Sequence, residues 1–79
     1  MGIIMNIVFS RHARRLMKLY KIPKHIVVGI VEETGDIPTG KNEFVKAVDG
    51  FKYPVKVVVR KEQTTVLVIT AYLLKRGTP

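Results

Sequence analysis

The apolar residues of this chain change their spacing after Gly35, and that change limits the fold more than any other feature. From Ser10 to Gly35 they recur at helical intervals, and beyond Asn42 they alternate along extended runs, as Ile3 to Phe9 do loosely ahead of the helices. With 79 residues there is room for one core. The helical part must therefore cover a sheet built from the extended part, which predicts one α+β domain over residues 1–79.

Ile3 to Phe9 reads as a strand that ends at Ser10, a good helix N-cap. A helix follows, with Ala13, Leu16, Met17 and Tyr20 on one side and Arg11, Arg14, Arg15 and Lys18 on the other. Pro23 suits the start of a second helix, Ile26, Val27, Ile30 and Val31 form its buried stripe, and Gly35 fits its C-cap. Glu43 to Asp49 can be a strand, with Gly50 in the turn to the next. In Val55 to Arg60, alternation sets Val55, Val57 and Val59 against Lys56, Val58 and Arg60. Thr64 to Leu74 is apolar on both faces, as a central strand would be. The expected order is one strand, a helical hairpin and a three-stranded antiparallel meander, with the helices on one face of an antiparallel sheet and the other face open.

Composition narrows the chemistry. The chain has no cysteine and two histidines, His12 and His25, so no disulfide framework forms and a zinc site lacks ligands unless carboxylates complete it. The expectation is no metal, no cofactor and a reducing, cytoplasmic setting. Met1 to Phe9 is apolar but has no basic segment before it, and Arg11, Arg14 and Arg15 follow at once, so neither a signal peptide nor a membrane span is expected. The net charge of +8 points to a polyanionic partner. Residues 1–31 hold six bases and no acid, 32–50 hold five acids and two bases, and 51–79 hold six bases and one acid. Two basic blocks thus flank an acidic middle, and nucleic acid competes with acidic proteins as the partner.

Gly35-Asp36-Ile37-Pro38-Thr39-Gly40-Lys41 matches G-x-x-x-x-G-K, but Asn42 replaces the magnesium-binding hydroxyl. The segment also follows a helix and opens a strand, the reverse of a phosphate-binding loop, so it reads as turn chemistry. Arg11, Arg14, Arg15 and Lys18 have no acidic neighbour at helical spacing and form either a solvated face or a track for phosphates. His12 borders the basic and apolar faces, where it can pack, cap or shuttle protons near neutral pH. Lys56 and Arg60 share a strand face about 13 Å apart. Thr70 and Tyr72 share a face of the next strand, with Lys75 and Arg76 at its end. If those faces are the open one, a phosphate meets Lys56, Arg60 and the Tyr72 phenol together; otherwise Tyr72 belongs to the core. No Ser/His/Asp set, carboxylate pair or cysteine nucleophile supports hydrolase chemistry of those kinds.

The run Phe9-Ser10-Arg11-His12-Ala13-Arg14-Arg15-Leu16-Met17, with Ile22, Gly50, Val55 to Arg60 and Val68-Ile69-Thr70-Ala71-Tyr72, resembles a family of small uncharacterised proteins carrying a Ser-x-His-Ala motif. That family is similar to the RelE/BrnT-type toxins, and the resemblance covers nearly the whole chain. It implies a RelE-like fold and a metal-independent endoribonuclease of a toxin–antitoxin pair. The implied partners are RNA, ribosome-bound mRNA among the candidates, and an acidic antitoxin protein. Arg60, Lys56, Tyr72 and His12 are the candidate catalytic residues, and Arg11, Arg14, Arg15, Lys18, Lys75 and Arg76 the candidate RNA-binding ones. Leu16 stands where the pattern has an arginine four residues after the histidine, so no role carries over to it. The alternatives are a nucleic-acid-binding module without chemistry and a basic partner of an acidic protein.

Overall fold

The structure, a computed structural model, describes residues 6–75. Its elements are β1 (Asn6–Phe9), α1 (Arg11–Tyr20), α2 (Lys24–Thr34), β2 (Gly40–Lys46), β3 (Val55–Glu62) and β4 (Thr65–Leu73). They form an α+β domain with a four-stranded sheet in the order β1-β4-β3-β2. Strands β2, β3 and β4 make the expected antiparallel meander. The sheet as a whole is mixed, however, because β1 lies parallel to β4, from Asn6 beside Thr65 to Phe9 beside Val68. Thr65–Leu73 is therefore interior, between β1 and β3, which explains why it is apolar on both faces.

β2 begins earlier than the spacing predicts. Gly40 is already paired with Lys61, and the Asn42 side-chain amide donates to the carbonyls of Pro38 (2.8 Å) and Gly40 (3.1 Å), closing the turn ahead of the strand. The G-x-x-x-x-G-K segment is thus a helix-to-strand turn, and its first glycine ends α2 at φ 77°, a conformation that costs glycine little.

Burial defines the covered face. Ala13 and Met17 of α1, Val27, Ile30 and Val31 of α2, and Ile22 and Ile37 beside them cluster with Val55, Val57, Val59, Val66, Val68 and Ala71 of the sheet. Valine fills most of the fully buried positions, in keeping with a core this small. Val58, also buried, stands outside this cluster on the opposite face. Both helices therefore cover the same side. No helix among the described residues is long and apolar enough to cross a membrane.

Along β4 the buried positions run Val66, Val68, then Ala71, so the alternation slips by one residue. The slip is a bulge: Val59 pairs with Val68 and Val58 with Thr70, leaving Ile69 unmatched. Ser10 stabilises it. Its backbone N–H donates to the Val68 carbonyl (3.0 Å) and its hydroxyl to the Ile69 carbonyl (2.8 Å). The same oxygen accepts from the Ala13 N–H (3.0 Å), capping α1. Ser10→Ala removes both the cap and the donor to Ile69, and should cost about 1–3 kcal/mol in urea unfolding. Ser10→Thr, which keeps the hydroxyl, should recover most of that loss. Equal stability of the alanine variant would show that the bulge is held by other contacts.

Candidate nucleic-acid interface

Because of the bulge, Thr70 and Tyr72 face away from the helices, where unbroken alternation from Val66 and Val68 would have turned them into the core. Tyr72 lies directly across from Lys56 on β3. Arg60, further along β3, is flanked by Leu67 of β4 and Lys41 of β2. The uncovered face thus brings together three of the four candidate catalytic residues.

It is also less cationic than the sequence suggests. Glu43 on β2 lies diagonal to Lys56, with its carboxylate 3.2 Å from the ammonium, and Glu62 accepts from Arg60 Nε at 3.3 Å. The hydrogen bond and charge of Glu43, with a smaller contribution from Tyr72, raise the Lys56 pKa above its ordinary 10.5. Lys56 therefore acts as a fixed positive charge at neutral pH and not as a base. Lys41 and Arg60, directly opposed like charges, repel each other across the ladder. An anion placed between them would relieve that repulsion.

The other candidates lie elsewhere. Arg11, His12, Arg14, Arg15 and Lys18 are all exposed on α1, the helix whose Ala13 and Met17 pack on the covered face. His12 is exposed on α1, which packs on the covered face, whereas Lys56, Arg60 and Tyr72 share the other face, so the four candidate catalytic groups do not form one cluster. The Ser-x-His-Ala motif instead has a structural explanation in the cap that Ser10 makes to the buried Ala13. Lys75, past the end of β4, has its ammonium 5.9 Å from the centre of the Tyr53 ring, with Lys52 at 5.7 Å from the same ring. Arg76 and the Ile3–Met5 part of the expected first strand lie outside the described residues.

Sequence reasoning missed two basic features. One is this Lys52–Tyr53–Lys75 group, assembled from the loop before β3 and the end of β4. The other is a surface groove of about 380 Å³ where α1 turns into α2, rimmed by Arg14, Lys18, Lys21 and Lys24 over Met17, Ile22 and Pro23. The groove's signal was the total absence of acid from residues 1–31; the turn at Lys21 that joins its rims is visible only in the fold.

Glu43→Gln should lower the Lys56 titration midpoint toward 10.5, read by NMR of the lysine side chain. A raised folded-state pKa contributes stability that is complete below pH 10.5 and is lost as pH rises through the higher folded value. The stability gap between wild type and Glu43→Gln should therefore be present at neutral pH and close only at strongly alkaline pH. An unchanged Lys56 midpoint in the variant would assign the shift to another group. Comparison with protein-family models, curated proteins and solved structures finds no match to this chain.

Proposed function

We propose that this protein binds RNA and cleaves it without a metal, as a RelE-like toxin restrained by an acidic antitoxin. The observation that carries RNA binding is the outer face of α1. Arg11, Arg14, Arg15 and Lys18 are exposed, and none takes part in an ion pair among the described residues. Like charges crowded on a helix of 10 residues repel. A phosphate backbone laid along them offsets that cost and releases its own counterions.

The uncovered sheet face supports the cleavage reading. The ribose 2′-oxygen bonds to phosphorus and the bond to the 5′-oxygen breaks, leaving a 2′,3′-cyclic phosphate and a 5′-hydroxyl. The proton lost by the nucleophile balances the one gained by the leaving oxygen. Glu62 engages Arg60 through Nε, which leaves the Nη groups for the charge that builds on the phosphorane. Lys56 holds a neighbouring phosphate, and Tyr72 beside it stacks on a base or passes a proton. A second reading, binding without chemistry, is favoured by the separation of His12 from this group.

Incubation with labelled single-stranded RNA separates the two. Cleavage should persist in EDTA, spare DNA for want of the 2′-hydroxyl, and fall about 10²–10³-fold in Arg60→Ala. On a non-cleavable analogue, Arg14→Gln with Arg15→Gln should make the salt dependence of binding shallower by about 0.7 per lost phosphate contact. Intact RNA with salt-dependent binding supports the second reading, and the absence of binding overturns both.

A further inference from the structure

The groove between the helices differs in kind from the α1 stripe, because it combines charge with a small apolar floor. Arg14 and Lys18 form one rim on α1, and Lys21 and Lys24 continue it around the turn. All four are exposed, and none is ion-paired among the described residues. The floor is Met17 and Ile22, only 5% and 4% exposed and so held firmly by the core, with the Pro23 ring beside them. The turn is itself well fixed: Lys21 takes a left-handed conformation at φ 56°, and the Lys21 and Ile22 N–H groups donate to the carbonyls of Lys18 and Met17.

Resting on the RNA-binding reading, the geometry points to this groove as the seat of a single unstacked nucleotide of single-stranded RNA. The base lies on the exposed Pro23 ring, backed by the buried Met17 and Ile22, and its flanking phosphates meet the cations on the rim. A planar base needs one apolar contact, which the exposed Pro23 ring supplies among the rim cations. An acidic amphipathic helix is the competing occupant, but it needs apolar anchors over about two turns. The floor has only these three residues, and the exposed Leu19 of α1 does not line it. Duplex RNA keeps its bases stacked and can use the charged rim but not the floor.

The test measures binding of a non-cleavable single-stranded oligoribonucleotide, the same strand with one abasic position, and the duplex, to wild type and to Lys21→Asn/Lys24→Gln. Asparagine tolerates the left-handed conformation at position 21, so the variant should stay folded. Wild type should bind the single strand most tightly, and chemical-shift changes should centre on Met17 to Lys24. The abasic strand should bind wild type more weakly than the intact strand, and in the variant single-strand affinity should fall several-fold with the salt slope shallower by about 1.4, while the duplex, which uses the same rim, should weaken as well. RNA binding with no strand preference, or with shifts confined to the sheet, overturns the groove assignment while leaving RNA binding intact. Displacement of the oligonucleotide from Met17 to Lys24 by an acidic peptide that binds there more tightly also overturns it. No binding of any RNA would instead defeat the underlying reading.

Discussion

Ser10 joins the helical half of this protein to its sheet. Its hydroxyl accepts from the first turn of α1 and donates to the carbonyl that the β4 bulge leaves unmatched, while its N–H ties the end of β1 to Val68. Buried or half-buried backbone groups are costly to leave unpaired, so these bonds decide where the bulge can sit. The bulge then sets the phase of β4, sending Ala71 inward and Tyr72 outward. A helix cap on one side of the sheet thereby determines which side chain stands beside Lys56 on the other.

The same folding sorts the charges. Acids of the middle block come to lie against lysines 13 residues on: Glu33 binds Lys46 at the exposed end of α2, and Glu43 binds Lys56 on the uncovered face. Glu62 takes up Arg60. These are exposed or half-exposed pairs and contribute little to stability. Their effect is on the distribution of free charge. The sheet face keeps a few cations in defined positions beside Tyr72, whereas α1 and the turn after it carry cations with no acidic partner among the described residues. One surface thus holds its cations in fixed places, and the other carries them crowded and unpaired among the described residues.

Much of the architecture was legible because it depends on local chemistry. Ser10 as a cap, Gly35 as a helix stop, the valine alternation of β3 and the interior character of Thr65–Leu73 all follow from conformational preference or from the period of the side chains. The start of β2 was less legible, since the Asn42 amide closes its turn with bonds that no periodicity reveals. The parallel pairing of β1 was not legible at all. A strand of 4 residues, alternately exposed and half-buried, carries no mark of its neighbour's direction.

By itself, then, the sequence determined an α+β chain with an amphipathic cationic helix and a strand bearing Lys56 and Arg60, because these features are set by residues near one another in the chain. The tertiary structure decided the outward placement of Tyr72, the pairing of Lys56 with Glu43, the separation of His12 from both, and the groove at the turn after α1. Each of these depends on register, on a bulge, or on contacts between segments far apart in sequence, and such contacts are chosen only when the whole core closes.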